Sequence, residues 1–188
     1  MEKDKFQFTW VSCDGGPLLL IEEKYLKFWE GSDAPSNGRV VEAEFRWGLD
    51  VATDYDKACD IEDLLGLIDV GEGKALVLGA DETSTTWLQT NDSEGMLVRW
   101  IYANSENDAI ESAKLVSFDK EADFEFVVEN YNLVLFAACE SWNDNIYPRL
   151  KFSLPNGKYK IFTNEFKNDE TWMICHRFKK LDETHPIN

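Results

Sequence analysis

Two histidines and four cysteines are the whole stock of imidazole and thiol in a chain of 188 residues, so nucleophilic or zinc chemistry has few ways to be built. His176 directly follows Cys175, and neighbouring residues of a strand point to opposite faces, which excludes a direct Cys–His dyad. It shares its face with Trp172, Ile174 and Phe178, the setting of a hydrogen-bonded histidine at the edge of a core. His185 lies close to the end of the chain. Cys13, Cys59, Cys139 and Cys175 are widely separated and form no C-x-x-C pair, so reduced thiols are expected. There is no G-x-S-x-G elbow and no Walker-type phosphate loop. Gly71-x-Gly73 follows an apolar run, but Leu76 stands where a dinucleotide fingerprint needs its third glycine, and the pattern continues as strand. In Gly15-Gly16-Pro17 the proline lacks the N–H that a phosphate cradle donates. Asp54-x-Asp56 opens like a calcium loop. Ala58 and Cys59 then occupy the fifth and sixth positions, and Leu65 replaces the terminal glutamate. No catalytic residue, cofactor site or metal ligand is expected.

What the chain has in quantity is negative charge: 36 acidic against 19 basic side chains, a formal net charge of −17. Glu42 to Glu72 carries ten acids against Arg46 and Lys57, and Glu106 to Glu129 carries eight against Lys114 and Lys120. Such a surface repels phosphate backbones and anionic bilayers, so direct binding of nucleic acid or membrane is not expected. It attracts a basic protein partner, for which opposite potentials raise the rate of encounter. If Asp54 to Leu65 is one helix, Asp56, Asp60 and Asp63 form a narrow stripe opposite Ala58, Ile61 and Leu65. The candidate partner-binding residues are Asp54, Asp56, Asp60, Glu62, Asp63, Asp69 and Glu72.

The elements that would position these acids are mostly strands. Phe6-x-Phe8-x-Trp10 alternates, Gly15-Gly16-Pro17 turns, and Leu18 to Ile21 reads as a buried strand. Glu22 to Trp29 and Asp54 to Leu65 read as helices, and Ser105-x-x-Asp108 has the form of a third helix start. Leu67 to Val70 and Ala75 to Leu78 flank a hairpin turn at Gly71 to Gly73. Phe124, Phe126 and Val128 share one face of a strand, and Leu133 to Ala138 is apolar on both faces. Asn156-Gly157 between Leu150-x-Phe152-x-Leu154 and Tyr159-x-Ile161 predicts a further hairpin. Trp10, Trp87 and Trp100 fall on apolar strand faces and are expected in the core. The fold class is α+β: β-rich, mostly antiparallel sheets with about three short helices.

The longest apolar run, Leu133 to Cys139, is seven residues, against the ~20 needed to span a bilayer. Met1-Glu-Lys-Asp-Lys5 alternates in charge without a following apolar core, so no export signal is expected and the expected compartment is the cytoplasm. Gly73-Lys74 with Trp87 downstream echoes Gly157-Lys158 with Trp172 downstream. Two related lobes, 1–104 and 105–188, would account for that spacing.

The ordered string Trp10, Gly15-Gly16-Pro17-Leu18-Leu19-Leu20, Trp29-x-Gly31, Asp54-Tyr55-x-x-Ala58-Cys59, Gly73-x-Ala75-Leu76-Val77-Leu78-Gly79, Thr85-Thr86-Trp87-Leu88 and Val98-Arg99-Trp100 resembles the immunity protein 21 family. The likeness covers residues 10 to 103 best; Gly157 to Thr163 and Cys175-His176-Arg177 are compatible with it. The resemblance implies one immunity-type domain over 1–188, a bacterial antitoxin that neutralises the toxin encoded beside it in a polymorphic toxin system. It brings no catalytic or contact residues with it. Joined to the charge, it points to a non-enzymatic inhibitor that meets a basic toxin, nuclease-type effectors being the natural fit, through an acidic surface. The alternative left open is a small-molecule-binding or metal-dependent enzyme domain whose clustered carboxylates act as ligands. A further option is an acidic mimic of nucleic acid aimed at a host DNA-binding protein.

Overall fold

The computed structural model describes residues 8–38, 40–79 and 83–181. Its strands are β1 (Leu18–Glu22), β2 (Leu65–Val70), β3 (Gly73–Leu78), β4 (Ser84–Asn91), β5 (Glu94–Ala103), β6 (Lys120–Val128), β7 (Asn132–Ala137), β8 (Leu150–Ser153), β9 (Gly157–Lys167) and β10 (Thr171–Lys180). Two α-helices, α1 (Asp54–Cys59) and α2 (Glu106–Ala113), and two 3-10 turns, Glu23–Phe28 and Ser36–Gly38, complete the described elements. One sheet has the order β2-β3-β1-β7-β8 and the other β4-β5-β10-β9-β6. The pairings are antiparallel, as the alternating patterns predict.

Two compact units result. One is the chain up to Trp87 with Leu133–Phe152, and the other is Leu88–Asn132 with the chain from Ser153 on. The units interleave along the sequence and do not part near residue 104. The cause is long-range pairing: β7 returns to β1, with Leu19 opposite Phe136, and β10 returns to β5, with Cys175 opposite Val98.

In the first unit β1 lies between β3 and β7 and is buried along its whole length. That is why Leu18 to Ile21 is apolar without alternation. Leu19 and Ile21 join Ala75, Val77, Val134 and Phe136 on one face, covered by Trp29 and by Tyr55 and Ala58 of α1. Each of the larger aliphatic and phenyl side chains here, Leu19, Ile21, Val77, Val134 and Phe136, contributes about 1.5–3 kcal/mol by leaving water. The Trp29 indole N–H donates to the Ala138 carbonyl at 2.9 Å, tying the 3-10 turn to the end of β7. The expected β2–β3 hairpin is present, with Val70 opposite Gly73 and Gly71 at φ +60°. Trp87 is buried and stacks on Phe152 with ring centroids 4.2 Å apart, while Trp10 and Trp100 are half-buried.

In the second unit α2 begins where Ser105 predicts, its hydroxyl accepting from the Asp108 N–H, and buries Ala109, Ile110 and Ala113. Phe126 and Val128 of β6 point inward, and Phe126 meets Phe178 edge to face. His176 lies on β10, between β5 and β9, and is wholly buried rather than at a core edge. The expected hydrogen bond is there: Nδ1 is 2.8 Å from the Thr163 hydroxyl. Burial first, and the Arg99 guanidinium second, push its pKa well below 6.5.

Two sequence expectations fail on topology. Asn156-Gly157 does not close a hairpin, because β8 pairs in the first sheet and β9 in the second. The polar groups of this turn go elsewhere: Leu154 N–H donates to the Tyr131 carbonyl at 2.9 Å, and Asn156 Oδ1 accepts from Tyr131 N–H at 3.0 Å. The hairpin is instead β9–β10, whose turn is set by Asn168 Oδ1 accepting from the N–H groups of Glu170 and Thr171. The Gly73 and Gly157 echo is not a repeat either, since β9 and β10 are sheet neighbours while β3 and β4 belong to different sheets.

Candidate functional site

The acid-rich stretch from Glu42 onward folds around α1, and α1 is shorter than its apolar spacing predicts. It ends at Cys59, with Asp60 as C-cap. Leu65 has already entered β2, opposite Leu78, so sheet pairing overrides the helical pattern. At the N-terminus Thr53 and Asp56 form a capping box. Asp56 Oδ2 accepts from Thr53 N–H at 2.7 Å and from the Thr53 hydroxyl at 3.0 Å. Its Oδ1 reaches out of the helix and accepts from Trp47 N–H at 2.8 Å. Asp60 does the same for the preceding residues, accepting from Glu44 N–H at 2.6 Å and Phe45 N–H at 2.7 Å.

This geometry corrects the solvated stripe. Asp56 is only 2% exposed and Asp54 is buried beside it, so neither presents its carboxylate to a partner. Asp56 and Asp60 are instead the two posts of a loop, Val41 to Ala52, whose ends are joined by the Val41 N–H and Ala52 carbonyl at 3.3 Å. Carboxylates accepting backbone N–H groups make strong, directional hydrogen bonds. The loop held in this way exposes Phe45, Trp47 (61%), Leu49 and Val51 among the acids Glu42, Glu44 and Asp50. Trp47 leans edge-on against Tyr55 of α1 with centroids 6.3 Å apart.

The other sequence candidates are exposed but dispersed. Glu62 and Asp63 lie between α1 and β2, Asp69 on β2, and Glu72 at the β2–β3 turn. Asp69 lies four residues into β2, about 13 Å along the strand from its start at Leu65, while Asp63 precedes that start. Asp69 also holds Lys74 Nζ at 2.7 Å.

A second loop of the same unit repeats the device. Glu140, 2% exposed, accepts from Ile146 N–H at 2.6 Å and Tyr147 N–H at 2.8 Å through Oε1. Arg149 lies over the Phe136 ring and donates to the carbonyls of Trp142 and Ser141 at 2.9 and 2.8 Å. The loop leaves Trp142 and Ile146 (76%) exposed. The turn at Asp14 to Gly16 touches α1 on one side and the second loop on the other. A Cβ on Gly16 would come 2.9 Å from the Tyr55 hydroxyl, and the Asp14 carboxylate raises the pKa of the Tyr147 phenol. Sequence reasoning missed Trp47, Trp142, Ile146 and Glu140. The available clue was the Phe45-x-Trp47-x-Leu49-x-Val51 alternation, apolar residues spaced through the most acidic part of the chain.

Among the described residues, no three His, Cys, Asp or Glu side chains are grouped so as to hold a metal, and no helix is long and apolar enough to cross a membrane. Two glycines of the ordered motifs have packing reasons in this unit. Gly16 gives way to Tyr55, and Gly31, at φ +63°, sits against the Cys139 carbonyl where any Cβ would collide. The family model for immunity protein 21 matches residues 9–171. The chain belongs to the immunity protein 21 family. Neither a curated protein nor a solved structure matches it. The match runs past residue 103 and takes in β7, β9 and the beginning of β10, so both units of the fold belong to the immunity protein 21 pattern. The family supports an immunity role, and immunity proteins are in general not enzymes.

Proposed function

We propose that this chain is an antitoxin that binds and neutralises a cognate bacterial toxin through the acidic face of its first unit. The observation that carries this reading is an exposed aromatic, Trp47, on a loop whose backbone is fixed by the carboxylates of Asp56 and Asp60. A large side chain held in place before binding loses little freedom on docking, which is what interface anchors require. The surrounding Glu42, Glu44 and Asp50, with Glu62, Asp63, Asp69 and Glu72 on neighbouring segments, supply the potential that steers a basic partner. A nuclease-type toxin, with a cleft built to hold phosphates, has the complementary charge. Asp54, Asp56 and Asp60 contribute from beneath, as the framework of the surface.

The test is association of the purified chain with the toxin domain encoded beside it, measured by stopped flow over a range of salt. The quadruple variant Glu62→Gln, Asp63→Asn, Asp69→Asn, Glu72→Gln is expected to associate about tenfold more slowly at low salt, with a flatter salt dependence. Trp47→Ala is expected to dissociate at least about 30-fold faster, the cost of losing an anchor of about 2 kcal/mol. Unchanged rates for both variants would refute the proposed face, and failure of the parent chain to bind would refute the antitoxin reading.

A further inference from the structure

The four cysteines, expected as scattered reduced thiols, are not equivalent in the fold. Cys13 Sγ and Cys139 Sγ lie 3.7 Å apart although 126 residues separate them. The approach is imposed by β1 and β7: Leu18 pairs with Ala137, and the Ala138 N–H donates to the Pro17 carbonyl at 3.0 Å. The residues flanking those pairs are thereby brought face to face. Cys139 is then fixed by its carbonyl, which accepts from the Ser32 N–H at 3.0 Å and the Ser32 hydroxyl at 3.2 Å. Cys13 is buried and Cys139 is partly open to solvent.

We propose that Cys13 and Cys139 form an oxidisable dithiol, a modification site whose substrate is a hydroperoxide, with Cys139 as the attacking thiol and Cys13 as the resolving one. The hydrogen bond between the two sulfurs lowers the pKa of Cys139 and raises that of Cys13, in the same sense as their exposure, Cys139 being the more open of the two. The other thiols lack this arrangement. Burial raises Cys59 to about 11 and Cys175 to about 12. In the first step Cys139 sulfur attacks the peroxide, an S–O bond forms as O–O breaks, and water (or the alcohol, from an organic hydroperoxide) leaves with the thiol proton. In the second, Cys13 sulfur attacks the sulfenic sulfur, S–S forms as S–O breaks, and a second water leaves. Two thiols lose two electrons, and the peroxide gains them. Closing 3.7 Å to a disulfide takes about 1.7 Å of sulfur movement, within reach of side-chain rotation. The bond would pin the turn at Cys13 to Gly16 to the base of the loop that carries Trp142. The proposal stands apart from toxin binding.

The experiment exposes the native full chain to stoichiometric hydrogen peroxide, blocks free thiols with iodoacetamide and maps disulfides by mass spectrometry without reduction. Expected is a single linkage, Cys13 to Cys139, reversed by dithiothreitol, where the same treatment in urea gives mixed linkages because the pair is no longer held in contact. The oxidised form is expected to melt about 5–15 °C higher, as a cross-link closing so long a loop restricts the unfolded chain. Cys13→Ser is expected to leave a dimedone-reactive sulfenic acid on Cys139. Linkage of Cys139 to another cysteine, or full alkylation of both thiols after peroxide, overturns the proposal. The wild-type map decides even if the variant does not fold.

Discussion

Replacing Asp56 by Asn separates two readings of the same carboxylate. On a solvated helical stripe the change removes one charge and costs within about 0.5 kcal/mol. In the structure the two oxygens serve three donors: Thr53 N–H and hydroxyl at Oδ2, and Trp47 N–H at Oδ1. An asparagine of the same shape keeps one acceptor. With that oxygen turned to Thr53, its NH2 faces the Trp47 N–H, and a buried donor meets a donor. Losing one hydrogen bond to a charged acceptor costs about 1.5–3 kcal/mol. Loss of negative charge in the first helical turn adds about 0.3–1 kcal/mol. The expected destabilisation is therefore about 2–4 kcal/mol, or a fall in Tm of about 5–15 °C for a chain of this size. Urea unfolding followed by tryptophan fluorescence measures it, with Glu62→Gln as the exposed control, expected to be neutral. The Trp47 N–H that is released belongs to the backbone, so that amide proton should also exchange faster in the folded variant. A loss below 0.5 kcal/mol, equal to the control, would refute the buried-post geometry and restore the solvated stripe.

Two further outcomes follow from the structure. His176 is neutral in the fold, its pKa pushed well below 6.5, whereas the unfolded imidazole takes up a proton near pH 6.5. Unfolding therefore binds a proton as pH falls below that value, and wild-type stability declines by about 1.4 kcal/mol per pH unit until the folded pKa is reached. His176→Asn should remove this component, so the stability gap between wild type and variant narrows from pH 6.5 to 5 in urea titrations; a gap independent of pH would count against a buried neutral imidazole. At Gly31, φ is +63° and a Cβ would collide with backbone of Cys139, Glu140 and Ser141, so Gly31→Ala should cost at least about 2 kcal/mol in thermal or urea unfolding. Gly48, with nothing within 4 Å of its missing Cβ, is the paired control, and Gly48→Ala should change stability by less than about 0.5 kcal/mol.

Local patterns carried far where one face of an element decides its fate. The β2–β3 hairpin, the capped start of α2 at Ser105, the inward face of β6 and the apolar β1 and β7 all stand as their residues predict. Asn156-Gly157 misled because a turn dipeptide reports a bend and not which strands flank it. Tyr131 takes the hydrogen bonds that a hairpin would have kept. The long helix from Asp54 misled because Leu65 satisfies both a helical face and a strand, and only pairing with Leu78 decides between them.

The acids divide on the same ground. Composition determined that this chain is strongly negative, because net charge is a count of side chains and needs no fold. Which carboxylates face solvent and which are buried was left to tertiary structure. Asp56, Asp60 and Glu140 look in sequence like any other acid, yet each meets backbone N–H groups from residues nine, fifteen or six positions away. Burial of a carboxylate is stable only when such donors are supplied, and the fold alone supplies them. The Cys13–Cys139 contact has the same origin, since two strands in register bring together thiols that no spacing rule would pair.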